Sequence, residues 1–135
     1  MASVHVESSL VIASRRDRVW AVLTDFELAP RWIKNTLLRL EGSLCEGAEL
    51  YFSFPKHPRF PGRLTRLQPP EVFGLSFATR DFLFTLREVD GHTEVRCSME
   101  TPHYARYTLE NLERGNQKIC QAMLRHLKSL VEETV

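Results

Sequence analysis

The sequence predicts an α+β protein: a curved antiparallel β-sheet wrapped around a long C-terminal α-helix, with two short helices after the first strand. Three features of the chain lead there. After Pro102, Leu109, Leu112, Ile119, Met123, Leu127 and Leu130 recur at helical spacing, with Asn116 in the vacant slot. Glu113, Lys118, Gln121, Arg125 and Lys128 take the opposite side, so this is one helix with a single apolar face. From Thr108 to Glu133 it would span about 39 Å at 1.5 Å per residue. Such a helix is not stable alone and must lie against another element. Secondly, nearly all the chain before it has the period of two of β-strands, so that element is a sheet. Thirdly, three consecutive strands align in a register that keeps their apolar residues on one face.

In chain order, Val4 to Ala13 reads as a strand with Val4, Val6, Leu10 and Ile12 on one parity. Ser14 is the expected N-cap of a short helix, Asp17 completing an approximate capping box. Val19, Trp20, Val22, Leu23 and Phe26 form its apolar face, and Asp25 and Pro30 lead into a second short turn carrying Leu28, Trp32 and Ile33. From Thr36 the period changes to two: Leu38 and Leu40, then Leu50, Phe52 and Phe54 after a turn at Gly42 to Gly47. Pro55 to Gly62, with three prolines and a glycine, reads as a stiff exposed hairpin loop or sheet edge. Arg63 to Gln68 and Val72 to Ala78 are further strands, joined at Pro69-Pro70.

The register follows if Thr79-Arg80 and Asp90-Gly91 are two-residue hairpin turns. Phe77 then faces Phe82, Leu75 faces Phe84 and Phe73 faces Leu86; beyond the second turn Leu86 faces Val95, Phe84 faces Cys97 and Phe82 faces Met99. All share one face, and Arg87 meets Glu94 on the other. A slip of one residue would scatter them. Closing the Pro69-Pro70 turn with Gln68 and Glu71 sets Arg66 opposite Phe73, on the apolar face. An unpaired charge there costs several kcal/mol, so Arg66 needs a counter-charge, either Glu88 or the carboxylate or enolate oxygen of a ligand. A one-residue shift at the turn would instead face it outward and void both.

At 135 residues the chain suffices for one domain, 1–135, with a real core. A net charge of +1 argues against nucleic acid as a partner. No segment has the length and apolarity to span a bilayer, and no leader pattern opens the chain, so membrane insertion is not expected. Cys45, Cys97 and Cys120 are odd in number and lack C-x-x-C spacing, as in a reduced, cytoplasmic protein. No His/Cys/Asp/Glu spacing suggests a metal, and no glycine-rich loop or nucleophile elbow suggests a cofactor or an acyl-transfer centre. A monomer or homodimer is expected.

The wide sheet leaves room for a pocket lined by Phe52, Phe54, Phe73, Leu75, Phe77, Phe82, Phe84 and Met99, closed by Ile119 and Met123. Gly115-Asn116 interrupts the apolar stripe of the helix: either it opens space and offers an amide to a ligand, or the glycine serves close packing or a kink. Three residues could carry chemistry, namely His57, Arg66 and Tyr104. His57, between Lys56 and Arg59, is either a general acid/base or anchor at the rim, or part of a solvated basic loop. His103, Tyr104 and Tyr107 belong near the same rim.

The run from Ile12 to Asp25, then Pro30 to Trp32, resembles the opening of the START/SRPBCC superfamily. Pro69-Pro70 before Phe73 to Phe77, Asp90-Gly91 before Val95, and Glu113 to Gly115 followed by Met123 to Lys128 match in place. The resemblance covers essentially the whole chain and is closest to the polyketide cyclase/dehydratase and Aha1-like branches. It implies the helix-grip fold with an internal cavity for an apolar small molecule; the superfamily includes lipid carriers, receptors, cyclases and co-chaperone domains. Asn116 departs from it, since relatives often carry an aromatic there. Three functions remain open: binding of an apolar or aromatic, lipid- or polyketide-like molecule; a cyclase/dehydratase-type enzyme moving protons in that cavity; and an Aha1-like protein-interaction domain. The apolar inner face favours binding, because acid–base chemistry needs convergent polar groups.

Overall fold

The computed structural model describes residues 3–34, 36–103 and 107–133. Strand β1 (Ser3–Ile12) is followed by α1 (Arg16–Leu23), a 3-10 turn (Phe26–Leu28) and α2 (Ala29–Trp32). Six strands come next: β2 (Arg39–Gly42), β3 (Glu49–Phe54), β4 (His57–Gln68), β5 (Val72–Phe77), β6 (Arg80–Val89) and β7 (His92–Pro102). Helix α3 (Leu109–Glu133) ends the chain. The seven strands make one antiparallel sheet in the order β1-β7-β6-β5-β4-β3-β2. This is the helix-grip fold.

The hairpins show why the inner face is apolar. Between β6 and β7 the Asp90-Gly91 turn has φ of 51° and 80°, and the expected pairs Leu86–Val95, Phe84–Cys97 and Phe82–Met99 form. Arg87 meets Glu94 on the outside at 3.3 Å. Between β5 and β6 the turn is Ala78-Thr79, not Thr79-Arg80, so Phe77 pairs with Arg80, Leu75 with Phe82 and Phe73 with Phe84. The shift is two residues, one full side-chain period, so the inward set survives intact. Neither Ala78 nor Thr79 has the turn chemistry that would have marked this position.

Residues 57–61 take the sheet-edge alternative and the expected Ser14 cap fails, both for long-range reasons. Strand β4 runs through Pro58 and Pro61. It can, because its pairing with β5 begins only at Gly62; residues 57–61 pair with β3 alone, leaving an open side that needs no N–H. Helix α1 starts at Arg16 without a side-chain cap from Ser14. Instead the carboxylate of Glu88, at the far end of β6, accepts the Arg16 N–H at 3.1 Å. Thr93 donates to the Ser14 carbonyl at 2.8 Å.

Helix α3 is held by packing more than by its ends. Thr108 caps it, accepting the Asn111 N–H at 3.1 Å, a contact of about 1 kcal/mol. Met123, Leu124, Leu127, Leu130 and Val131 are all at most 3% exposed, and each fully buried side chain of this kind contributes about 1.5–3 kcal/mol. Burial starts only at Asn116: Leu109 is 49% exposed and Leu112 half-buried, because the first two turns run past the ground that the sheet covers, while Ile119 is half-buried as a wall of the first cleft. The helix lies chiefly along β1, and it supplies donors to that edge strand. Gln117 Nε2 donates to the Glu7 carbonyl at 2.6 Å and Lys128 Nζ to that of Val11 at 2.9 Å.

Glu132 completes this clamp, accepting the Ala13 N–H at 2.9 Å and Lys128 Nζ at 2.6 Å. The Ala13 N–H first, then the Lys128 ammonium, hold its carboxyl below the ordinary value of 4.5. A carboxyl lowered in the folded state adds stability above its unfolded value and loses it as pH falls through the folded one. Glu132→Gln should therefore cost up to about 1 kcal/mol at neutral pH, the pair being partly exposed. Thermal melts should converge with the parent below both pKa values; a constant offset at all pH would show that the charge is irrelevant.

Candidate functional site

The grip is closed at one end and open at the other. Helix α1 covers the Glu88 end of β6, while Arg80 begins the same strand about 27 Å away at 3.4 Å per residue. At that far end three clefts converge. The first, about 350 Å³, lies between α3 and the sheet and is lined by Ile33, Lys34, Phe77, Phe82, Ile119 and Met123, with Ala122, His126 and Arg80 at its rim. The second, about 400 Å³, is walled by Phe54, Pro55, Lys56, His57 and Phe60 of the β3–β4 arm, and by Lys34, Phe77 and Arg80. The third, about 390 Å³, runs under the start of α3 past Thr101, Gly115, Asn116 and Ile119, again to Arg80. A broader depression of about 670 Å³ extends over Glu49, Arg63, Ser76, Asp81 and Glu100, a row that strand alternation puts on the outer face, and meets the mouth at Phe77, Arg80 and Thr101. Its charges are mixed in sign, as on ordinary solvated surface. The inner mouth, with its apolar floor, is the candidate site.

Arg80 is the residue that sequence reasoning missed. Placing it in a turn sent it to solvent; the two-residue shift instead makes it the first inward position of β6, cross-strand from Phe77. It shares parity with Phe82, Phe84 and Leu86, the signal that could have found it. The side chain is half-buried and forms no ion pair among the described residues. Its presentation has a backbone cost. Ala78 and Thr79 hold φ of 53° and 62°, a region that costs non-glycine residues about 1–3 kcal/mol each and is least tolerated by β-branched ones.

The predicted site residues separate into three groups. Phe54, Phe77, Phe82, Ile119 and Met123 line the clefts, as does Asn116. Phe52, Phe73, Leu75, Phe84 and Met99 do not: each is at most 1% exposed and packed in the core. The expected deep pocket is filled there by the small helices, Trp20 standing edge-on to Phe73 at 6.1 Å and Trp32 to Phe84 at 5.4 Å. Of the catalytic candidates, His57 lines the second cleft, its ring edge-on to Phe60 at 6.0 Å. Arg66 is exposed, because a β-bulge between Leu64 and Arg66 pairs it with Gly74 and turns Leu67 inward in its place. The expected Arg66–Glu88 pair and the Arg66 ligand contact are thereby both corrected. Tyr104 lies outside the described residues.

Gly115 is not there for close packing, since a Cβ would meet nothing within 4 Å. Asn116 is buried at 3% and donates to Thr101 Oγ1 at 3.0 Å, the partner that a buried amide requires. Cys97 and Cys120 face each other between sheet and helix as free, buried thiols. Their mutual hydrogen bond and burial push the Cys97 thiol far above its ordinary range. Among the described residues no cluster of His, Cys, Asp and Glu could hold a metal, and no helix is long and apolar enough to cross a membrane.

The family model of activator of Hsp90 ATPase homolog 1-like proteins matches residues 13–132. The chain belongs to that family. Membership sets the chain within the START/SRPBCC superfamily that its motifs resemble. No curated relative matches the sequence. Among solved structures, protein MLL2253 from Mesorhizobium loti is similar at a TM-score of 0.78 and 14% identity, over 97% of this chain and 98% of that one. Protein SA2116 from Staphylococcus aureus gives 0.78 and 12%, over 98% and 96%. Protein EF2215 from Enterococcus faecalis gives 0.74 and 18%, over 96% of this chain and 71% of that one. At such identities the likeness is one of fold alone.

Proposed function

We propose that this family member binds an apolar or aromatic small molecule at the open mouth of the grip. The observation that carries this reading is the unfilled space over Phe77, Phe82, Ile119 and Met123, in a protein whose interior is otherwise packed by its own aromatics. Concave apolar space with a few polar groups at its edge is the ordinary form of a small-molecule site. Acid–base catalysis has less support: His57 and His126 line different clefts, so two proton-moving groups do not converge on one point. The family description names an activator of a chaperone ATPase. A protein-interaction role would call for a continuous exposed apolar patch, and the exposed large apolar residues fall in three places: Val11 and Val89 on β1 and β6, Leu38 and Leu44 around the β2 edge, and Tyr107 and Leu109 where α3 begins.

The test is titration with N-phenyl-1-naphthylamine, an uncharged dye whose fluorescence rises in apolar surroundings. Ala122 is half-buried at the rim of the first cleft, so Ala122→Phe should fill that space and weaken the dye by at least about tenfold, the value of one well-packed aromatic-sized contact. Absence of dye binding by the parent, or binding unchanged in Ala122→Phe, would overturn the reading.

A further inference from the structure

We propose that the occupant of this mouth is an anionic amphiphile: a carboxylate held by Arg80, with an apolar body lying on Phe77, Phe82, Ile119 and Met123. This rests on the preceding reading that the mouth holds a small molecule, and it specifies the chemical class.

The argument is one of local charge against global charge. The chain is nearly balanced, with 18 lysines and arginines against 17 aspartates and glutamates. Yet no carboxylate side chain lines any of the three clefts, among the described residues. The side chains there that can carry charge as a cation are Lys34, Lys56, His57, Arg80 and His126, and the one other ionisable group is the Tyr107 phenol of the third cleft. Arg80 borders all three clefts and Lys34 borders two. Arg80 also reaches the rim of the outer depression that holds Glu49, Asp81 and Glu100, yet it forms no ion pair with them. Some exposed arginines find carboxylates, namely Arg31 with Glu133, Arg39 with Glu41, Arg87 with Glu94 and Arg114 with Glu110. Others such as Arg66, Arg96 and Arg125 have none among the described residues but stand in solvent, so a missing partner weighs only on an arginine that is withdrawn from water. Arg80 is more buried than these and has none among the described residues. A partly desolvated cation beside apolar walls is costly without an anion, and attracts one more strongly than a surface cation does.

Geometry narrows the anion. Arg80 is cross-strand from Phe77, so its guanidinium projects over the same face as the aromatic floor. One planar fork of donors matches a planar, singly charged carboxylate, bound through both oxygens. The apolar floor beyond it requires that the carboxylate carry a hydrocarbon or aromatic body. The strained Ala78-Thr79 turn is what sets Arg80 at an inward position rather than in solvent.

The experiment is displacement of N-phenyl-1-naphthylamine by decanoate and by 1-decanol, which share the chain and differ in the head group. Decanoate should bind at least about tenfold more tightly than decanol, as expected for a charge-assisted hydrogen-bonded pair. Raising the salt from about 20 mM to about 500 mM should weaken decanoate alone. Arg80→Met should abolish the preference while dye and decanol affinities stay within about twofold, its melting temperature unchanged or higher because an uncompensated charge has gone. Arg80→Gln provides a second, polar replacement with the same expectation. Arg66→Met, on the outer face, should retain the preference. Equal affinity of the parent for decanoate and decanol, or an Arg80→Met protein that still prefers decanoate, would overturn the proposal. So would a lower melting temperature in Arg80→Met with the preference intact, which would make Arg80 structural. If the parent binds no dye, the small-molecule reading itself fails; if it binds dye and decanol but shows no decanoate preference, only the anionic assignment fails.

Discussion

Replacing Trp32 by alanine is expected to lower the unfolding free energy by about 3–5 kcal/mol, the range for deleting a large buried aromatic. Trp32 is 1% exposed and stands edge-on to Phe84, with 5.4 Å between ring centroids and 86° between planes. Its indole N–H has no acceptor among the described residues, so the loss is one of packing and not of a hydrogen bond. The substitution should also change the mouth. Trp32 precedes Ile33 and Lys34, which line the first cleft, and removing the ring should extend that cleft toward Phe84. Guanidinium denaturation should show a lower midpoint at an unchanged slope, and N-phenyl-1-naphthylamine should bind more tightly at temperatures where the variant stays folded. A loss below about 1 kcal/mol would mean that the small helices do not fill the grip.

Gly62→Ala should destabilise the protein by about 1–3 kcal/mol, as overpacking does, and should disturb the mouth as well. Gly62 lies cross-strand from Phe77. A Cβ there would fall 2.6 Å from Phe52 Cε1 and 2.6 Å from the Ser76 carbonyl oxygen. The ring can move, but the carbonyl belongs to a paired strand and cannot. The missing side chain is what lets Phe52 stack on Phe77 at 4.3 Å and 23°, and Phe77 is a floor residue of the first two clefts. Lower stability together with weaker dye binding is therefore expected. An alanine variant with the parent's melting temperature would show that the strands separate easily here.

Much of the sheet was legible because side-chain direction in a strand depends only on parity. The β5–β6 turn lies one residue earlier than expected, which shifts the pairing by two, yet Phe73, Leu75, Phe77, Phe82 and Phe84 still fall on the inner face. The same insensitivity hid Arg80, because the misplaced turn absorbed the charged residue that opens that set on β6. Arg66 failed in the opposite way: a bulge adds one residue, half a period, and the guanidinium moved to the other face. Nothing in the local sequence distinguishes a strand that will bulge, since the bulge is set by how β4 fits between β3 and β5.

What the sequence determined by itself were the periodic elements: the apolar face of each strand, the long helix, the Asp90-Gly91 turn and the family. These follow from spacing within a few residues, and such spacing survives small errors in placement. Tertiary structure alone decided how much of the grip is filled, and by what. Trp20 and Trp32 reach Phe73 and Phe84 from helices some 40 to 60 residues away in the chain, turning the expected deep pocket into core. It also decided that Glu88 caps α1 and that Arg80 stands at the one open end. Occupied volume and the pairing of charges depend on which distant side chains arrive at the same place, and no local pattern encodes that.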